Sequence, residues 1–187
     1  MTRRPSDCVG QIASRLTPFQ QGQFDALCGF YCTLNALQIA SHPKRIGLRK
    51  AQNLFASAIS MMRKRRPHLN PVTQGMTNER MIWFAEHIAE LAGTCRTRFV
   101  VERCVADDVE QWVRQSLYSG YPVIACFSHL HHFSVVVDVA NSGLAVFDSQ
   151  PRSWVPVEEG KDFTDVIDRR GTIRIRRDTP TPYDANR

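Results

Sequence analysis

The chain has 187 residues, 43% of them hydrophobic, which is enough for one core and short of two comfortable ones, so a single domain over 1–187 is expected. No stretch nears the roughly 18 consecutive apolar residues of a membrane span, and the N-terminus carries no apolar run of the secretory kind, so a soluble, cytoplasmic protein is expected. Six dispersed cysteines exclude a small disulfide scaffold, and a net charge of +6 permits acidic partners without requiring them.

In chain order, residues 1–18 read as an irregular arm. From Leu27 or Cys28 to about Ala40 the apolar spacing (Phe30, Leu34, Leu37, Ile39) predicts a helix, with Asp25 positioned to cap or charge-stabilise its start. "IGLRKAQNLFASAISMMRKRR" predicts a second helix that ends at Pro67, its basic cluster suited to the helix C-terminus. The loop "PHLNPVTQG" leads to "TNERMIWFAEHIAELAG", a third helix capped at Thr77 or Asn78 and closed at Gly93.

"TRFVVERCV" reads as a strand and "ADDVEQWVRQSLYSG" as a short helix. The composition then turns β-branched and aromatic: "YPVIACFS", "HFSVVVDVA" and "GLAVFDS" predict three strands, the last two joined by an "NSG" turn. "SWVPV" and "GTIRIRR" add one or two more, and residues 178–187 read as a flexible tail. Helices come first and sheet second, an α+β layout. The basic runs "PKRIGLRK", "RKRRPH" and "RRGTIRIRRD" read as solvated helix faces and strand edges. Nucleic acid is a possible partner, unsupported by any helix-turn-helix, zinc finger or aromatic-basic interleaving.

The stretch "QQGQFDALCGFYCTLNAL" raises the question of a reactive thiol. Thiol catalysis needs a thiolate, a base, a group that orients the base and a donor for the oxyanion. Cys28 falls in the first turn of a buried helix, where backbone dipoles favour the thiolate. Gly29 behind it leaves room for a substrate carbonyl, and Gln21 or Gln23 stands close enough upstream to donate to an oxyanion. Cys32, one turn on, reads as a small core residue. Neither cysteine belongs to a zinc pattern, since no second pair has matching spacing.

Among six histidines, His132 begins a continuous apolar strand, and the following hairpin brings Asp148 back beside it. Antiparallel pairing sets the end of one strand against the start of the other, so Asp148 can orient the His132 ring.

Glutamine, Cys-Gly at a helix start, the strand from Gly120 to Ile124, "His-Phe-x-Val-Val" and then Asp148 sixteen residues after His132 resemble the papain-like cysteine peptidases. Within them the pattern is most similar to the bacteriocin-processing leader peptidases that cut after double-glycine motifs. The resemblance runs from about Gln20 to Ser149. It implies a papain-like α+β fold, with the nucleophile helix among N-terminal helices packed on a C-terminal antiparallel sheet. It also implies Cys28 as nucleophile, His132 as general base and acid, Asp148 as orienting residue, and Gln21 or Gln23 as oxyanion donor. The expected function is hydrolysis of a peptide or isopeptide bond in a peptide or protein substrate, without a cofactor. A transglutaminase-like acyl transferase, or a non-catalytic peptide-binding module on the same scaffold, are the alternatives.

Overall fold

The computed structural model describes residues 8–22, 26–65 and 75–178. In chain order it has helices α1 (Val9–Ala13), α2 (Cys28–Ala40), α3 (Leu48–Arg65) and α4 (Asn78–Ala92), then strand β1 (Arg98–Arg103) and helix α5 (Val109–Tyr118). Strand β2 (Val123–Phe127), a 3₁₀ turn at Ser128–Leu130, and strands β3 (His132–Ala140), β4 (Gly143–Phe147) and β5 (Trp154–Pro156) follow. Helix α6 (Phe163–Val166) and strand β6 (Ile167–Asp178) complete the order. The fold is α+β, with all six strands in one antiparallel sheet of order β1-β6-β2-β3-β4-β5.

Helix α2 is apolar nearly all round, and a helix with no polar face must be enclosed. Every residue of it except Tyr31 is buried. It lies against β3 and β2 on one side and α4 on the other, while α3 packs outside α4. Phe30 of α2 holds the three helices together: its ring centroid is 4.7 Å from that of Phe55 on α3 and 5.5 Å from that of Phe84 on α4. Thr77 caps α4 by accepting from the Arg80 amide, and Asp108 caps α5 by accepting from the Gln111 amide.

Strand β6 is the main departure from the sequence reading. Its basic run does not sit on a sheet edge. It lies between β1 and β2, and alternation divides its two faces. Ile173 and Ile175 are fully buried. Arg174 and Arg176, on the opposite face, both reach Glu102 of β1, and the Arg174 guanidinium lies 5.2 Å from the Trp112 ring and 5.6 Å from the Tyr121 ring. Paired charge and stacking let arginines occupy an internal strand.

Two smaller expectations change as well. Within the arm expected to be irregular, α1 forms and buries Val9, Ile12 and Ala13. Asp178, expected to open the flexible tail, is the last residue of β6, and residues 179–187 lie outside the described part, as do 67–74 of the loop after α3 and Asp25. Among the described residues, no helix is long and apolar enough to cross a membrane.

Candidate active site

Three elements bring the site together. Helix α2 presents Cys28 as its first residue, β3 presents His132 as its first residue, and Asp148 follows directly on the last residue of β4. The β3–β4 register pairs Val135 with Phe147, so Asp148 falls near the beginning of β3. The Nε2 atom of His132 lies 2.8 Å from one Asp148 oxygen and 3.1 Å from the other. The Cys28 thiol is near enough to bear on the charge of the ring, and with Nε2 engaged by Asp148 the nitrogen left for it is Nδ1.

The surroundings hold this arrangement still. Asp148 and His132 are 2% and 5% exposed, so both are sheltered from competing water. Asp148 also accepts from the Gln150 amide at 2.9 Å and from the Ser149 hydroxyl at 3.4 Å. His131, immediately before His132, has a left-handed backbone with φ 46°, which turns the chain out of the 3₁₀ segment and into β3. Burial works against charge on the His132 ring, but the hydrogen bonds to Asp148 and Cys28 and the negative charge of both partners outweigh it. The ring pKa is pushed up to about 9.

The two cysteines of the motif differ in kind. Cys32 is 1% exposed, donates its thiol to the Gly29 carbonyl at 3.1 Å, and has its pKa driven well up by burial and by nearby Cys28 and Asp148. It is a neutral core thiol. Cys28 keeps 9% of its surface, touches the histidine and starts a helix that no side chain caps. Of its first-turn amides, that of Phe30 donates to the Leu27 carbonyl at 2.9 Å, and the dipole of the helix start favours an anion beside the Cys28 sulfur. Cys126 on β2 lies in the same neighbourhood, and burial, with Asp168 and Cys28 nearby, raises its pKa to about 11.

The sequence matches no protein-family model and no curated protein. The geometry of the chain itself therefore carries the reading.

Gln21 is drawn into the site and Gln23 lies outside the described residues. The Gln21 amide N–H donates to the Ser149 carbonyl at 2.9 Å, and its side-chain oxygen accepts from the Ser149 hydroxyl at 3.4 Å. Using the oxygen end this way orients the donor end of the amide. Phe19, two residues earlier, is held by Asn35 of α2: its N–H donates to Oδ1 at 2.7 Å, and its carbonyl accepts from Nδ2 at 3.3 Å. A strap of residues 19–21 thus ties helix to sheet beside the triad.

Gly29 meets a packing demand as well. A Cβ there would lie 3.0 Å from Met81 Cγ, 3.2 Å from Met76 Sδ and 3.6 Å from a Phe133 ring carbon. Gly29 is buried, and a Cβ there would crowd Met81 of α4 and Met76 just before it, so close packing also favours glycine at this position. Asp138 is exposed at the far end of β3 and accepts from the Val139 amide, so it takes no part. Sequence reasoning missed Ser149 and Asn35. Each had a faint signal, a hydroxyl next to the acid in "FDSQ" and an amide inside an otherwise apolar helix.

A groove of about 970 Å³ runs between α4 and the edge strand β1, lined by Glu86, Glu90, Phe99 and Val101 among others. Cys28, His132 and Asp148 do not line it.

Proposed function

We propose that the chain is a papain-like cysteine hydrolase that cleaves a peptide or isopeptide bond through an acyl-enzyme. One observation carries this reading: the buried His132 ring is held through Nε2 by the Asp148 carboxylate and has the Cys28 thiol beside it, close enough to bear on its charge. A structural histidine has no need of a thiol on one side and a carboxylate on the other, whereas a thiolate–imidazolium pair needs both.

In the first step the Cys28 thiolate attacks the substrate carbonyl carbon, and the oxygen that becomes negative is met by the Cys28 amide and the Gln21 side chain. His132 then gives its Nδ1 proton to the leaving amine as the C–N bond breaks. Water, deprotonated by the now neutral ring, attacks the thioester and releases the acid with the thiolate restored. Throughout, Asp148 holds the ring by Nε2 and balances the charge it carries. Cys32 stays a neutral packing group.

Alkylation by iodoacetamide at mildly acidic pH tests the reading. Rapid labelling at Cys28, lost in Cys28→Ser and slowed at least tenfold in His132→Ala, is the expected result. Labelling that is no faster than for an ordinary thiol, or that is indifferent to His132, overturns it.

A further inference from the structure

Between Asp25 and Glu79 the chain has no acidic residue, and every residue with a fixed charge is a lysine or arginine. Helix α3 lies in this stretch. It begins with Arg49 and Lys50 and ends with Arg63, Lys64 and Arg65. Lys50 is occupied, donating to the Ala92 carbonyl at the end of α4 at 2.6 Å. Arg63 and Lys64 are exposed and make no ion pair with a described residue. Neighbours in sequence on a helix point about 100° apart, so the two cations do not crowd each other and together present positive charge over a broad face of the last turn.

Their position gives the charge a use. Lys50 touches the end of α4 while Phe55 is level with Phe84, so α3 runs antiparallel to α4 and its basic end returns to the start of α4. The start of α4 is also the nucleophile end of α2, because Met81 and Met76 cover Gly29. Arg63 stands about 12 Å beyond Phe55 along its helix, whereas Cys28 stands only about 4.5 Å beyond Tyr31, which itself packs near Phe55. The basic turn therefore lies at the Cys28 end of the helix group, opposite the end that Lys50 holds. Glu79, the first acid after the stretch, is engaged with Thr77 and its own amide in the first turn of α4.

We propose that Arg63 and Lys64 form a docking rim for an acidic segment of the protein substrate, flanking the bond presented to Cys28. The inference rests on the hydrolase reading and narrows its substrate class. A peptide fits this rim better than a nucleic acid. The charge is concentrated in one helical turn rather than spread as a backbone-length stripe, and the aromatic rings nearby, Phe30, Phe55 and Phe84, are packed against one another instead of offered for stacking.

The test uses the full chain carrying Cys28→Ser and three fluorescein-labelled probes: a twelve-residue peptide with alternate glutamates, the same peptide with glutamines, and a twelve-nucleotide single strand. Fluorescence anisotropy at low salt reads binding. The glutamate peptide is expected to bind more tightly than the other two, to weaken at least tenfold with Arg63→Glu/Lys64→Glu, and to change less than twofold with Lys44→Glu/Arg45→Glu at the opposite end of the helix pair. Circular dichroism checks folding, and Arg63→Gln/Lys64→Gln replaces the reversed pair if it does not fold. Tighter binding of the oligonucleotide, equal loss from the two charge pairs, or indifference to glutamate overturns the rim. Iodoacetamide labelling of Cys28 in the wild-type chain reads the hydrolase assignment independently, so the two failures are distinguishable.

Discussion

His132 Nε2 lies 2.8 Å from Asp148 Oδ1, which leaves Nδ1 as the ring nitrogen available to the neighbouring Cys28 sulfur. The ring is thereby assigned an electrostatic side and a reactive side, and each can be tested separately.

On the reactive side, Cys28→Ala and Cys28→Ser are expected to abolish turnover and thiol labelling with little change in the unfolding midpoint, since the residue sits at the rim of the core. Cys32→Ala is expected to keep labelling and to lose about 1–2 kcal/mol of stability, because it leaves a small cavity in the core, while the Gly29 carbonyl keeps its bond from the Thr33 hydroxyl. Denaturant titration with mass-spectrometric mapping of the label checks both. The opposite pattern would transfer the nucleophile to Cys32.

Asp148→Asn is expected to slow turnover at least tenfold, with the approximately 10⁴-fold loss seen in serine triads as the outer bound. The amide can still hold Nε2–H but no longer balances charge on the ring. The alkaline limb of the rate profile should therefore move down from about 9. A slower enzyme with an unmoved limb would mean that Asp148 contributes geometry alone.

The pH profile of the wild-type protein follows from the raised His132 pKa. The imidazolium must donate to the leaving amine, so kcat/KM is expected to fall on the alkaline side with an apparent pKa near 9. Stability follows the same group. Its pKa is higher folded than the ordinary 6.5, so its contribution is complete below about 6.5 and disappears as pH rises through about 9. Urea titrations between pH 6 and 10, comparing wild type with His132→Gln, check the sign.

Removing one oxyanion donor typically costs about 10²- to 10³-fold in turnover, and Gln21→Ala is expected to fall in that range with a small change in KM. Ser149→Ala should have a milder effect in the same direction, because it frees the Gln21 amide to rotate without removing it. A full-size loss in Gln23→Ala alongside a normal Gln21→Ala would reassign the donor.

His131→Gly is expected to be tolerated and His131→Val to destabilise by roughly 1–2 kcal/mol, since glycine accepts the left-handed backbone and a β-branched residue does not. Thermal unfolding compares the two.

Local signals made much of this molecule legible. The apolar spacing of α2, the Thr77 cap of α4 and the continuous β-branched and aromatic runs of β3 and β4 each depend on residues close in sequence, and so does the hairpin that returns Asp148 to His132. Non-local choices were hidden. That β6 enters between β1 and β2 is decided by Glu102 and Trp112, far away in the chain, offering partners to Arg174. The crowding at Gly29 comes from Met81 on α4 and Met76 just before it, and the placement of Gln21 turns on Ser149, which lies 128 residues later. No spacing rule contains such contacts.

The strap that joins Asn35 to Ser149 has a consequence for how this protein can be handled. Helix and sheet each hold half of the chemistry, so neither half has it when they part. Chilling, mild denaturant or a cut in the strap should return the Cys28 thiol to ordinary reactivity before far-UV ellipticity changes. The rate at which that one sulfur takes up a reagent would then serve as a gauge of assembly, reporting lost registry between the layers while both are still folded.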